Sequence, residues 1–244
     1  MIGWTTALAV GTAGLAGAVV GSFAATVALR LPSGESPWHG RSRCDGCART
    51  LSWAETVPVA GYIRAGGRCT ACGHEIDHLH LCGEILGAGI ASAALLLDPN
   101  LNGAVMALLG ICMLAAALID IKTRTLPNGL NLLVALMATI LAWTGGRLVA
   151  GLIAATVSGF LLLAVKWLLD RRHGRTMLGL GDVKLICAAS LLLGEWTAPM
   201  MALAAALGLA VMVTTRKKLI PFGPMIAASS FMFALVAQNG VTLP

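Results

Sequence analysis

Charged residues are scarce in this sequence of 244 residues: Asp, Glu, Lys and Arg make up 11% of it, and aromatic residues only 5%. A soluble globular protein carries about 25% charged residues, so the composition excludes an ordinary soluble enzyme. Intrinsic disorder is also excluded, because 57% of the residues are hydrophobic and disordered chains are poor in such residues. The 29 glycines follow no three-residue period, which excludes a collagen-like chain. The main solvent of this chain is therefore expected to be lipid.

Long stretches without charge divide the chain. A helix that crosses a bilayer needs about 20 mostly apolar residues. Two of the shorter segments carry one charge each, near an end where the side chain can reach the interface. The predicted spans are 1–29, 81–97, 99–119, 125–146, 148–165, 183–193, 196–215 and 219–244. The sequence thus predicts an all-α polytopic membrane protein with about eight transmembrane helices.

The basic residues orient these spans. Arg30 directly follows the first span, whereas no Lys or Arg precedes it as a secretory signal peptide would require. When eight spans alternate, every basic residue except Arg147 falls on the same side. The positive-inside rule makes that side the cytosol and places both termini outside. The net charge of +6 is then explained by contact with anionic lipid rather than with nucleic acid.

The segment 31–81 lies on the cytosolic side and contains two CxxC pairs, separated by 21 residues. Two such pairs suit a tetrahedral zinc site, because each turn presents two sulfurs on one side. A reducing cytosol argues against disulfides, and a closed four-sulfur site has no open position for catalysis. We therefore predict a small structural zinc domain with the ligands Cys44, Cys47, Cys69 and Cys72. A redox pair and a mixed site that includes His74, His78 or His80 are the alternatives.

Two aspartates lie at the ends of predicted spans. Asp120 closes the third span and Asp182 opens the sixth. In the eight-span topology both carboxylates lie just within the cytosolic leaflet. Two carboxylates that meet in a low-dielectric site share a proton. One can then activate water while the other donates to a peptide carbonyl, which is aspartic-protease chemistry. The alternative for Asp182 is an acidic residue that offsets a helix dipole.

Other residues near these positions are candidates for a supporting role. Gly179 and Gly181 precede Asp182 and allow an extended peptide to approach closely, with unusual dihedral angles before the helix begins. Lys184 either tunes the aspartate pair or only follows the positive-inside rule. Glu84 anchors its helix at the interface, orients the zinc domain or contacts substrate, and anchoring is the first of these interpretations.

Several sequence blocks, in order, resemble the type IV prepilin peptidases, a family of GxGD-type membrane aspartic endopeptidases. The blocks are Gly21-Ser22-Phe23 with Arg30-Leu31-Pro32, the two CxxC pairs, Gly67-Arg68-Cys69, Glu84, Ile119-Asp120 with Leu126-Pro127, Gly179-Leu180-Gly181-Asp182-Val183-Lys184-Leu185 and Ile220-Pro221-Phe222-Gly223-Pro224. The similarity covers most of the chain.

The resemblance implies a function and a location. It implies that Asp120 and Asp182 are the catalytic pair, and that the enzyme removes a short basic leader from prepilins or pseudopilins. The cut follows a glycine at the cytosolic face of the bacterial inner membrane. Many members with these cysteines also methylate the new N-terminus with S-adenosylmethionine, and no stretch of this sequence reads as a methyl-donor pocket. The chain departs from the family at Asn128, where an aspartate is usual, and at Ala24-Ala25-Thr26, where an asparagine is usual.

Three other interpretations stay open. They are a presenilin-like protease with another substrate, an ion-coupled transporter with buried aspartates, and an inactive zinc-stabilised scaffold. The expected division of the chain is a first helix at 1–30, the zinc domain at 31–81 and a seven-helix membrane domain at 82–244.

Overall fold

The computed structural model describes residues 4–31, 33–37, 40–174, 176, 178–216 and 220–238. Within them the fold is helical, with isolated β-bridges only at Arg43–Thr50 and Arg68–Glu75. The helices are α1 (Trp4–Arg30), α2 (Ala60–Arg64), α3 (His78–Leu97), α4 (Leu101–Thr123), α5 (Asn128–Thr144), α6 (Leu148–His173), α7 (Leu180–Leu193), α8 (Thr197–Thr215) and α9 (Gly223–Gln238). Short 3₁₀ turns lie at Trp53–Glu55 and Gly194–Trp196.

Within the described residues, each of the eight predicted spans overlaps one helix, and α2 belongs to the cysteine-containing segment. Residues 1–3, 219 and 239–244 of the first and last predicted spans lie outside the described part of the chain. Among the residues that the structure describes, five helical stretches are long and apolar enough to cross a membrane. They are Thr6–Arg30, His78–Leu97, Leu101–Thr123, Leu148–His173 and Leu180–Thr215, the last of which contains both α7 and α8. The helices α5 and α9 are apolar but shorter. The prediction of a helical, membrane-type protein is thus confirmed, while the count of eight crossings stays a prediction.

The most buried helix is α4, which contacts α1, α3, α5 and α9. Its apolar side chains fill the core because neighbours cover almost every face of the helix. Met106, Leu109 and Ile119 are each at most 1% exposed. The helices α5 and α9 also pack against α7, so they bridge α4 and α7. This bridging brings the last turn of α4 toward the first turn of α7.

The helices α1 and α3 cross at unusually close range. A Cβ atom at Gly17 would lie 2.2 Å from the carbonyl oxygen of Gly87, and one at Gly21 would lie 2.0 Å from that of Gly83. Only glycine fits at such a crossing, where packing of small residues replaces the hydrophobic effect as the source of helix association. The contact fixes α1 beside α3 although a 47-residue segment separates them in sequence.

Candidate active site and metal centre

The four cysteines of the two CxxC pairs form one cluster, with their sulfur atoms all within 4.8 Å of one another. The Sγ atoms of Cys44 and Cys72 are 3.8 Å apart. Tetrahedral coordination at a Zn–S distance of about 2.3 Å requires sulfurs about 3.8 Å apart. Because both the donor type and this spacing fit, the cluster can hold a metal ion such as zinc.

Two similar turns present these sulfurs. In the first turn the amide of Ala48 donates to the carbonyl of Cys44, and in the second the amide of Gly73 donates to that of Cys69, both at 2.9 Å. The residue after each pair adopts a left-handed conformation, with φ of +57° at Ala48 and +72° at Gly73. Glycine takes this conformation without strain, whereas alanine does not. The two turns are therefore equivalent in geometry, and the first is the more strained.

Arg49 connects the cysteine cluster to a polar network. Its guanidinium donates two hydrogen bonds to the Glu55 carboxylate, at 2.7 and 3.1 Å, and one to Thr70 at 3.1 Å. The same group lies 3.7 Å from the Sγ of Cys69. Arg49 foremost, then hydrogen bonds from Ser52 and Thr70, hold the pKa of Glu55 far below its ordinary value. The guanidinium thus places a fixed positive charge beside the sulfurs, whose thiolates would carry the negative charge of a metal site.

The groups around Cys69 favour its thiolate form. The backbone amides of Cys72 and Ala71, and then the Arg49 guanidinium, lower the pKa of the Cys69 thiol to about 6. Metal binding requires deprotonated cysteine, so this local field favours the ligand form.

The histidines of this region have other contacts. His74 lies against Gly46, where a Cβ atom would come within 2.6 Å of the imidazole. His78 Nδ1 is 2.9 Å from the Tyr62 hydroxyl. Within the described part of the chain the metal cluster contains cysteines alone. The φ of Gly46 is not positive, so the space for His74, and not the backbone conformation, is what requires glycine there.

Asp120 lies in the last turn of α4 and is only 5% exposed. Its Oδ2 accepts a hydrogen bond of 2.9 Å from the backbone amide of Gly223, the first residue of α9. A Cβ atom at residue 223 would stand 2.8 Å from that oxygen. The carboxylate is therefore held by a helix N-terminus, where amide groups and the helix dipole favour negative charge.

Asp182 lies in the first turn of α7, is half-buried, and is close enough to Asp120 for the charge of one carboxylate to act on the other. No hydrogen bond reaches the Asp182 carboxyl from the described residues. Sixty-two positions separate the two aspartates in sequence, and the packing of α5 and α9 between α4 and α7 brings them together. The expectation that these two side chains meet and act as a pair stays a prediction, which the approach of α4 and α7 supports.

The glycines before Asp182 provide space rather than unusual dihedral angles. Gly179 has φ of −68° and ψ of 134°, which any residue adopts, so the dihedral part of the prediction is wrong. A Cβ atom at Gly179 would lie 3.0 Å from the Asp182 Oδ2, and one at Gly181 would lie 2.9 Å from the Leu126 side chain. Gly181 thus allows α7 to approach the segment that joins α4 to α5.

Among the described contacts, Lys184 and Lys122 bind neither Asp120 nor Asp182. The Lys184 amine donates to the Asn128 side chain at 2.8 Å, which joins α7 to the start of α5. Lys122 forms an ion pair with Asp77, the N-cap residue of α3, at 2.8 Å. Asn128, where the resembling family has an aspartate, is thereby a neutral acceptor for Lys184.

Glu84 is buried in α3, between α1 and the cysteine-containing segment. It accepts hydrogen bonds of 2.7 Å from the Ser22 hydroxyl of α1 and from the Val59 backbone amide. Val59 has φ of +62° and ψ of −51°, an uncommon conformation for a β-branched residue. These contacts favour the interpretation that Glu84 orients the cysteine-containing segment over the interpretation that it anchors α3 at the interface.

One residue of the site was missed as such by sequence reasoning. Gly223 was noted only as part of a C-terminal block, yet its amide holds Asp120. The signal available in the sequence was a glycine directly before Pro224, after a charge-free turn, at the start of an apolar segment.

Comparison with known proteins identifies the family. The model described as the bacterial peptidase A24 N-terminal domain matches residues 15–97, and the one described as the type IV leader peptidase family matches residues 107–214. A Bacillus subtilis protein named prepilin leader peptidase/N-methyltransferase is 31% identical over 239 residues, which cover 91% of this chain and 92% of that protein. The chain belongs to the type IV leader peptidase family.

Other leader peptidases are similar over shorter regions. Proteins of the same name from Burkholderia pseudomallei strain 1026b and Klebsiella pneumoniae are 35% and 30% identical, over 77% and 75% of this chain. The match spans 64% of the length of the Burkholderia protein and 82% of that of the Klebsiella protein. No solved structure matches the chain. The part of this chain that matches the leader-peptidase model contains Asp120 and Asp182, and Gly223 lies beyond the end of that match.

Proposed function

We propose that this protein is a membrane aspartic endopeptidase that removes the basic leader from type IV prepilins or pseudopilins. The observation that carries the proposal is that Asp120 and Asp182, from helices distant in sequence, lie close enough for their charges to interact, and that a backbone amide binds Asp120. The names of the relatives support the substrate class. We further propose the eight-span topology, with both termini outside and the aspartates at the cytosolic face of the bacterial inner membrane.

The geometry assigns different surroundings to the two carboxyls. Oδ2 of Asp120 accepts the Gly223 amide, so a shared proton lies on the remaining oxygen of Asp120 or on Asp182. The ionised carboxylate takes a proton from water as that water attacks the scissile carbonyl carbon. The protonated carboxyl donates to the carbonyl oxygen, which gives a neutral tetrahedral intermediate. Collapse of that intermediate breaks the C–N bond: the pair gives a proton to the leaving amine and takes one back from a hydroxyl of the intermediate.

Contacts between α5 and the start of α7 support the position of Asp182. Asn131 donates weakly to the Gly181 carbonyl, at 3.5 Å, and Lys184 binds Asn128, so two side-chain contacts join α5 to the start of α7. Leu126 fills the space above Gly181. An ion-coupled transporter lacks comparable support, because the relatives are named as peptidases.

We propose that the four-cysteine cluster binds zinc and that the zinc is structural. Bound zinc would supply the cross-link that holds the two CxxC turns together, and it leaves no open position for a substrate. We also propose that the enzyme methylates the new N-terminus with S-adenosylmethionine, because its relatives carry that activity in their names. No residue of this chain is assigned to the methyl donor.

Coexpression with a prepilin tests the proposal directly. The mass of the pilin N-terminus distinguishes an uncut chain, a cut chain and a chain that is cut and methylated. We expect Asp120→Asn and Asp182→Asn each to abolish cleavage by at least about 1,000-fold, because the shared proton is lost. Asp98→Asn is the matched control: Asp98 bonds Gln238 at the opposite end of α3 and α4, and its loss should leave cleavage unchanged. Substantial cleavage by either active-site variant, with the protein still present in membranes, would contradict the proposal.

A further inference from the structure

A pocket of about 390 Å³ opens between the C-terminal end of α6 and Leu180, the first residue of α7, and neither aspartate of the proposed pair lines it. Its lining combines apolar, aromatic and charged side chains: Leu163, Lys166, Trp167, Asp170, Arg171 and Leu180. The peptidase mechanism uses none of these side chains. We propose that the pocket binds the phosphate headgroup of an anionic phospholipid from the cytosolic leaflet.

The depth of the pocket in a bilayer supports this proposal. The helix α6 begins at Leu148, directly after Arg147, and Trp167 comes 19 residues later. At about 1.5 Å per residue this separation is about 29 Å, which matches a hydrocarbon core of about 30 Å. Arg147 and Trp167 therefore lie at opposite interfaces when α6 crosses the membrane. Tryptophan is enriched at such interfaces, and the last turn of α6 contains Arg171, Arg172 and His173.

The side chains of the pocket offer charge and apolar surface together. The Arg171 guanidinium stacks 5.0 Å from the centre of the Trp167 ring, which orients its donors. No ion pair of Arg171 exists among the described residues. Lys166 is nearly buried and binds both Asp170, at 2.6 Å, and the Leu178 carbonyl, at 2.9 Å. Because Lys166 offsets the Asp170 carboxylate, Arg171 leaves the pocket with a net positive charge.

The apolar wall faces outward, where acyl chains would lie. Leu163 is 48% exposed, Trp167 61% and Leu180 53%. A phospholipid with its phosphate near Arg171 and its acyl chains along Leu163 and Leu180 would contact both the charged and the apolar side chains of the pocket. A soluble phosphate would use the charge but leave this apolar wall in contact with water.

Lipid binding to the purified protein tests the proposal and does not depend on peptidase activity. The full-length protein in a neutral detergent is titrated with phosphatidylglycerol and, separately, with phosphatidylcholine, and native mass spectrometry counts the bound lipid. We expect preferential binding of phosphatidylglycerol, and a loss of about fivefold in its affinity for Arg171→Gln, since a basic residue near anionic lipid contributes about 1 kcal/mol. Arg172→Gln is the matched control, because Arg172 is exposed in the same turn but does not line the pocket.

A second pair of variants tests the aromatic wall. Trp167→Leu should weaken phosphatidylglycerol binding, whereas Trp143→Leu, which alters an exposed tryptophan at the far end of α5, should not. Equal effects of the two arginine variants, or equal affinities for the two lipids in the unaltered protein, would overturn the proposal. Full displacement of the lipid by inorganic phosphate would also overturn it, in favour of a soluble anion.

Discussion

In the cysteine-containing segment, the two ligands of each pair lie three residues apart in sequence, and short turns hold them. In the helical bundle, the two aspartates come from α4 and α7, and the amide that binds Asp120 comes from α9. The first site is therefore built mostly from local hydrogen bonds, and the second from packing between distant helices. We therefore expect a substitution in the first site to have local effects, whereas in the second site a small change of helix packing should alter the positions of the aspartates.

The largest effect is expected in the metal site. Cys69→Ser removes one of four ligands, so bound zinc should fall from about one ion per chain to nearly none, because a structural zinc site needs all four. Elemental analysis of the purified protein measures this change. Cys82→Ser alters an exposed cysteine outside the cluster and should leave the zinc content unchanged. An unchanged metal content in Cys69→Ser would refute the assigned site.

The next effect tests how strongly packing controls the aspartates. Gly223→Ala places a Cβ atom 2.8 Å from the Asp120 Oδ2 and should displace that carboxyl. A displacement of about 1 Å lowers catalysis by about 100-fold, so we expect a loss of that size in leader cleavage, with zinc content unchanged. Gly89→Ala is the control, since nothing lies within 4 Å of its Cβ position. Equal cleavage by the two variants would show that the Gly223 contact does not matter.

Glu84 lies in the helical bundle and contacts the cysteine-containing segment. Two variants of Glu84 distinguish the effect of its hydrogen bonds from the effect of its charge. Glu84→Ala leaves the Val59 amide without its acceptor, which should destabilise the protein by about 1–3 kcal/mol. Glu84→Gln can still accept from Val59 with its amide oxygen and donate to the Ser22 hydroxyl, so a smaller loss is expected. Thermal unfolding in detergent compares the variants. If Gln proves as harmful as Ala, the negative charge of Glu84 is what the structure requires.

The smallest effect compares the two CxxC turns with each other. Ala48→Gly gives the first turn the residue that the second has at Gly73, and it relieves a left-handed alanine that costs about 1–2 kcal/mol. We expect slower release of zinc to a chelator. Ala71→Gly lies in the second turn at a position without positive φ, so the same change there should bring no gain. Faster release from Ala48→Gly than from the unaltered protein would contradict the strain argument.

Sequence reasoning predicted more detail in the cysteine-containing segment than in the helical bundle. The cysteine ligands were predictable residue by residue, because CxxC spacing and metal geometry are local constraints. The helix positions were predictable from charge-free stretches. The contacts of Lys184 and Glu84 were not, because long side chains can reach several partners and only the packed structure selects Asn128 for one, and Ser22 and Val59 for the other.

Composition, spacing and charge along the chain were enough to predict a helical membrane-type chain, four clustered cysteines and two aspartates at helix ends. The tertiary structure decided that the Gly223 amide binds Asp120, that Glu84 joins α3 to Val59 and that α6 forms a pocket near Arg171. These contacts join residues from separate segments or depend on how side chains pack in space. Their partners are set by the arrangement of whole helices, which no single stretch of sequence encodes.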